Sequence, residues 1–252
     1  MRIEEATALV TGAASGMGAR FATALASAGA RVIAIDHDIE GLERLASGAA
    51  TPNLSTEAFD ITQERAVTAL LRDLAARDSL PDILVNNAAI LRDGYLATLE
   101  SSGYARKMPT AQWSAVIATN LTAPFLLARE FVAHRLEAGR EGGLIVNISS
   151  ISSAGNAGQS NYAAAKAGLD ALTRTWSLEL APHGVRVAGL APGVTDTPMS
   201  ARLAVEVRER LIADMPLGRM IRTEEIWLGL RFIIECDAFV GRVLSIDGGA
   251  AF

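Results

Sequence analysis

The stretch TALVTGAASGMG, residues 7–18, decides the fold. Its first part, TALVT, is a short apolar run with the length of a buried strand. Glycines then stand at 12, 16 and 18, and an apolar periodic pattern over 16–28 reads as a helix. Strand, glycine-rich turn and helix in that order make a phosphate cradle. The glycines let backbone N–H groups approach a pyrophosphate, and the helix N-terminus behind them favours an anion. The spacing is G-x-x-x-G-x-G, and no lysine follows the last glycine, which excludes a P-loop.

Reading outward, RVIAID (31–36) is a second strand ending in Asp36, where dinucleotide folds place an acid on the adenosine ribose. A carboxylate there accepts from both ribose hydroxyls and repels a 2′-phosphate, by roughly 1–4 kcal/mol at ~4 Å. NAD is therefore expected over NADP, with His37 a partial compensator if protonated. A helix over 39–46 and a weaker strand over 55–60 follow. Thr62 is placed to cap a helix running to 77, with Arg65 where a capping box wants Glu. Further strands are expected at 82–87, 143–150, 185–192 and 242–249, and helices at 110–137 and 160–180. Apolar strands alternating with helices predict one α/β domain over 1–252: a doubly wound, Rossmann-type, seven-stranded parallel sheet with helices on both faces.

The whole chain narrows the function classes. It has 252 residues, half of them hydrophobic and 20% charged, with a net charge of −5 and no Lys/Arg run, which speaks against nucleic acid. A single Cys236 allows no internal disulfide and fits a reducing compartment. The N-terminus reads neither as a secretory leader nor as a transit peptide, and no window reaches the ~18 apolar residues of a membrane span. A cytoplasmic protein with no metal site is expected.

NYAAAKAG, residues 161–168, supplies the chemistry. Converting a ketone to an alcohol by hydride leaves an alkoxide needing a proton, and the reverse needs a base. Tyrosine does both, but its usual pKa of ~10 is high. A nearby cation favours the phenolate. Tyr162 and Lys166 are four apart, hence on one helix face. Arginine carries nearly all the positive charge here, so one Tyr-x-x-x-Lys pair arises by chance in only about 2% of such chains. The bland reading is a lysine packed over a tyrosine ring.

TGAASGMG, NNAA, NISS, NYAAAK and APGVTDT stand in the order and spacing of the classical short-chain dehydrogenase/reductase family, and the chain resembles it from about 7 to 249. MPLGRMIRTEEI and FVGRVLSIDGG resemble its bacterial 3-oxoacyl-thioester reductase branch. The resemblance implies a catalytic set of Asn120, Ser150, Tyr162 and Lys166. Asn120 would hold a water linking the lysine to solvent; a satisfied amide at a helix bend is its bland alternative. Ser150 would hold the substrate oxygen. The interval from Ser150 to Tyr162 is one residue short of the common spacing, which Ser149 has instead, while the IVNISS strand register favours Ser150. The cofactor would meet Gly12, Ser15, Gly16, Met17 and Gly18, then Asp36, Asp60 and Ile61. Asn87, Ala88 and Ala89 would follow, Ala89 standing where the family usually has Gly. Pro192, Gly193, Val194, Thr195 and Thr197 would line the nicotinamide side, and Lys166 would bind the nicotinamide ribose.

Residues 97–108 read as an insertion leaving the carboxyl edge of the sheet, either a substrate-side loop or an oligomer contact. Residues 198–216, with Met199, Leu203, Leu211 and Met215, read as a lid over an apolar substrate or as plain helix packing. On the 160–180 helix, Trp176 and small residues lie away from the catalytic face; the resemblance implies that such helices pair between subunits of a homotetramer, and an internal core helix is the bland alternative. The expected reaction interconverts a secondary alcohol and a ketone with NAD. A 3-oxoacyl thioester is the leading substrate class, and other alcohols, steroids or sugar alcohols follow. A non-catalytic dinucleotide sensor is the contrasting class.

Overall fold

The computed structural model describes residues 1–48 and 52–250. Among the described residues nine strands are formed, in chain order: β1 (Thr7–Thr11), β2 (Arg31–Asp36), β3 (Leu54–Ala58), β4 (Ile83–Asn86), β5 (Ala97–Leu99), β6 (Ala105–Lys107), β7 (Gly143–Ile148), β8 (Val185–Pro192) and β9 (Val243–Ile246). Seven of them make one parallel sheet, in the order β3-β2-β1-β4-β7-β8-β9. The crossovers are α1 (Gly16–Ser27), α2 (Ile39–Gly48), α3 (Glu64–Ala76), α4 (Thr110–Ile117) with α5 (Ala123–Glu137), α6 (Ser160–Glu179), and the short α7 (Val205–Ala213) followed by α8 (Thr223–Glu235). The doubly wound, seven-stranded sheet expected from the alternating pattern is therefore present.

Successive strand residues face opposite layers, so the sheet builds two cores. Ala8 and Val10 of β1 join Phe21 and Leu25 of α1 and Leu230 and Ile233 of α8. Leu9 points the other way, among Val67 and Leu71 of α3 and Leu127 and Phe131 of α5. β1 pairs with β2 on one side and β4 on the other, so the strand order reverses there. That reversal opens the crevice in which such sheets bind ligands, beyond the strands' carboxyl ends.

Several boundaries differ from the sequence expectation for identifiable reasons. β3 stops at Ala58 and α3 begins only at Glu64, with Gln63 as N-cap. Asp60 causes this: its carboxylate takes the Thr62 N–H (2.9 Å) and hydroxyl (2.7 Å), turning the chain and leaving Thr62 no capping role. The 110–137 helix is interrupted by a π-helical turn over Ala118–Thr122. By length and composition it could cross a membrane, yet Val116, Leu126, Leu127 and Phe131 are core residues. Trp176 is also buried, packed within the α3/α5 core, so it does not face a partner. Its ring lies on the sheet side of α6, where Val185 and Val187 of β8 also sit.

The insertion folds as an antiparallel hairpin of β5 and β6, exposed throughout. In the 198–216 segment, Met215 is buried but α7 buries no residue.

Candidate active site

The phosphate turn is built by close backbone packing. Gly12 has φ +66°, and a Cβ there would come within 2.8 Å of Ala88 Cα. At Gly18 a Cβ would meet the Gly12 carbonyl oxygen at 2.0 Å, so no side chain fits. Gly16, at φ +57°, faces Thr197 across the crevice, where an added Cβ would lie 3.5 Å from Thr197 Cβ. Ser15 is the exposed N-cap of α1 and its hydroxyl makes no capping bond, while Met17 packs back onto the core.

The turn is held from below by the segment leaving β4. Asn87 and Ala88 both donate backbone N–H to the Thr11 hydroxyl oxygen at 3.0 Å. The Asn87 amide donates to the carbonyls of Thr11 (2.9 Å) and Gly12 (3.3 Å). Its Oδ1 is buried and unpartnered. Thr11 was not legible as a site residue, because a threonine inside a strand carries no spacing signal. Ala89 is partly buried next to this contact.

Asp36 closes the adenosine side. Its carboxylate accepts from Ala14 N–H (3.0 Å), His37 N–H (2.7 Å) and Asp38 N–H (3.1 Å), with His37 Nδ1 also 3.1 Å away. These bonds tie the acid to the glycine turn itself. Burial pushes the Asp60 carboxyl up, but bonds from Thr62 and Gln63 outweigh this and hold it below its usual value. Ile61 beside it is buried. On the opposite wall, Pro192 ends β8, and the Gly193 N–H donates to the Ile246 carbonyl at the end of β9, at 2.9 Å. A Cβ on Gly193 would come within 2.8 Å of Asp247, so β8 and β9 leave the sheet in close contact. Val194 and Asp196 are tied to Ile221, Thr195 is buried, and Thr197 bonds Ser200.

The reactive set lies where β7 meets α6. Lys166 is 2% exposed and donates to Ile148 O at 2.6 Å. Its Nζ is 5.6 Å from the Tyr162 ring centroid. β7 ends at Ile148, and Ser150 becomes the N-cap of a 3-10 turn over Ile151–Ala154, accepting from Ser152 N–H at 3.1 Å. Its side chain acts on the Tyr162 phenol, favouring the phenolate. Ser149 differs: it is 3% exposed, and its hydroxyl is buried without a partner.

Burial pushes the Tyr162 phenol up to about 12; Ser150 pulls it down and Asp93 adds to the rise. Burial likewise pushes Lys166 down to about 8, against the pull of Asp170. The protein alone therefore keeps the tyrosine protonated at neutral pH, and Lys166 does not offset its desolvation. Asn120 sits in the π-helical turn, fully buried, with its amide oxygen accepting from Ile90 N–H (2.9 Å) and its amide nitrogen donating to Ile90 O (3.0 Å). Its side chain is the satisfied amide at an irregular helix turn, and it fixes the segment after β4. Such turns recur at functional sites.

Two positioning residues escaped the sequence reading. Asn161, fully buried, donates to Arg92 O (3.0 Å) and accepts from Tyr162 N–H (2.8 Å). Gln159 bonds Asp93 at 3.1 Å. Together they clamp the segment below the β5–β6 hairpin to the start of α6. Asn161 stands beside the tyrosine in NYAAAK, so its position was the available signal.

A strand–glycine turn–helix cradle facing a Ser, Tyr and Lys cluster at the sheet's carboxyl edge defines a short-chain dehydrogenase. Residues 6–207 match the family described as short chain dehydrogenase, and the chain belongs to it. It is 35% identical to the 3-oxoacyl-[acyl-carrier-protein] reductase of Thermotoga maritima, over 99% of each chain. It is 38% identical to the cis-4-hydroxycyclohexanecarboxylate dehydrogenase of Sinomonas cyclohexanicum, over 97% of this chain and 96% of that one. Among solved structures it resembles an Agrobacterium tumefaciens protein provisionally described as a gluconate dehydrogenase. The TM-score is 0.87 and the identity 31%, over 97% and 95% of the two chains. The chain is thus an oxidoreductase acting on CH–OH groups or the matching ketones, with a nicotinamide dinucleotide as cofactor.

The residues present fit that cofactor. The side-chain-free cradle at Gly18, the free Ser15 hydroxyl and the orphaned Asn87 Oδ1 are features that a polar, phosphate-bearing ligand satisfies.

Proposed function

We infer that the chain interconverts a secondary alcohol and a ketone with NAD(H), and that a 3-oxoacyl thioester or its 3-hydroxy product is the substrate class. The observation that carries this reading is the Ser150–Tyr162–Lys166 arrangement beside the Gly12–Gly18 turn. The cofactor, when bound, supplies or accepts the hydride. Everything else falls to the protein. The Ser150 hydroxyl donates to the substrate oxygen, and Tyr162, protonated at neutral pH, gives its proton to that oxygen as the alcohol forms. Lys166 holds the nicotinamide ribose and steadies the phenolate left behind. Asn120 fixes the Ile90 segment that lines the cleft. Thr197, opposite Gly16, together with Pro192 to Thr195, forms the carboxamide side, and Asn87 to Ala89, Asp60 and Ile61 form the adenine side.

Asp36 supports NAD over NADP, because a 2′-phosphate would meet a carboxylate tied in place by three backbone N–H groups. Asp36→Ala is expected to narrow the NAD-to-NADP ratio in kcat/KM by about fivefold or more, on the order of 1–4 kcal/mol of repulsion removed. A wild-type preference for NADP would refute this role. The protonated tyrosine suits ketone reduction, whereas an NAD preference suits alcohol oxidation in cells.

Cyclic alcohols form a second substrate reading, supported by the Sinomonas relative. Residues 198–216 act as the lid, since α7 has no buried residue of its own to hold it on the body. The exposed Leu178 of α6 and Leu228 and Phe232 of α8 support a homotetramer, and the composition supports a cytoplasmic location. A panel of 3-hydroxyacyl-CoA, cyclic, steroid and sugar alcohols, followed by absorbance of the reduced nicotinamide, tests the reading. Turnover is expected with 3-hydroxyacyl thioesters. Tight NAD binding with no turnover on any member would make the chain a sensor.

A further inference from the structure

Lys166 is asked to be a cation in a place that opposes charge. Among the described residues, its one hydrogen bond goes to a neutral carbonyl, that of Ile148. The elements around it supply few charges. β7 offers the Ile148 carbonyl and leads to Ser150; the rear of the site is lined by Ala191, Val243 and Ser245 from β8 and β9, none of them titratable. Asp93, from the segment after β4, acts on Tyr162. On α6 itself the charged or titratable neighbours are Tyr162 and Asp170, one turn to either side.

Asp170 acts on the lysine through its field, and its Oδ1 is buried with no partner. It lines a half-open cavity of about 270 Å³ behind Ser150, together with Ser153 and Ser245. A space of that size with several hydroxyls can hold ordered water. The carboxylate thus borders a polar cavity while its field reaches the buried ammonium along the helix.

We propose that Asp170 is a positioning residue of the proton relay, which holds Lys166 in its cationic form from the polar cavity behind Ser150. This rests on the reading of Lys166 given above. Asp170 favours the charged lysine along the helix, against the burial that favours release of its proton.

The chain has only two lysines, Lys107 and Lys166, so the protein labelled with ε-¹³C-lysine shows two titrating signals. Lys166→Arg assigns them. In Asp170→Asn the Lys166 midpoint is expected to fall by about half a pH unit or more, while Lys107, in the exposed hairpin, stays put. Asp170→Glu is expected to restore the midpoint. The alkaline limb of the kcat/KM profile should move with it, through kcat rather than KM. A Lys166 midpoint unchanged in folded Asp170→Asn, or in Asp170→Ser should the first variant not fold, overturns the proposal. Because the titration needs no substrate, it stands apart from a failure of the substrate panel.

Discussion

Tyr162→Phe is expected to lower kcat by about 10²–10⁴-fold, the usual contribution of a positioned proton donor, while the Kd for NAD changes by less than about threefold. The hydroxyl is the only group removed. The ring still packs on α6 near Lys166, and the lysine keeps its bond to Ile148, so the helix and the ribose side should persist. The Gly12–Gly18 turn is braced by Thr11 and Asn87 and makes no use of Tyr162. Ser150 keeps its bond from Ser152 N–H. A phenylalanine variant retaining a tenth or more of wild-type turnover would remove tyrosine from the proton-transfer role. Equal losses of turnover and NAD affinity would instead point to a damaged fold.

The second large effect is expected at the phosphate turn. Gly18→Ala places a methyl group 2.0 Å from the Gly12 carbonyl oxygen and 2.6 Å from Asn87 Nδ2. Neither can retreat freely, because the first is backbone and the second is held by two carbonyls. The turn must open, which separates the backbone N–H groups that face phosphate. NAD affinity should fall by about a hundredfold or more, with roughly 1–3 kcal/mol of stability lost to overpacking. Calorimetric titration with NAD and urea unfolding measure the two separately. Affinity within about threefold of wild type would show that phosphate recognition does not depend on this contact.

These two sites also show what a sequence can and cannot carry. The glycine turn was legible because backbone proximity leaves a compositional trace: only glycine fits at 18, and positive φ favours it at 12 and 16. Asp36 was legible from its place at a strand end. Tyr162 and Lys166 were legible because helical spacing fixes their shared face. The electrostatic balance was not. Spacing suggests a lysine that lowers the tyrosine, but desolvation pushes the phenol up and the ammonium down. Burial of a particular atom depends on chain segments far apart in sequence, such as Asp93 and the 150–154 turn.

Tertiary competition also decides the smaller differences. Thr62 reads as a cap in sequence, but Asp60 takes its hydrogen bonds. Trp176 stands away from the catalytic face in sequence, and of pairing with a partner or packing inside, the fold takes the second. Asn120 matches a motif, while its partner Ile90 lies thirty residues away. Asn86, Asn147 and Thr173 form a fully buried chain of hydrogen bonds from the central strands to α6. Polar residues inside apolar strands are the trace such networks leave, and they specify how α6 docks beside β7.

The central claim is hydride transfer between a carbinol carbon and the nicotinamide, assisted by Tyr162. The most direct test uses NAD and the fastest alcohol of the panel, deuterated at its carbinol carbon, with mass analysis of the reduced cofactor. One deuterium per NADH formed is the predicted result. NADH formed without deuterium, or a Tyr162→Phe variant that transfers it as fast as the wild type, would contradict the account.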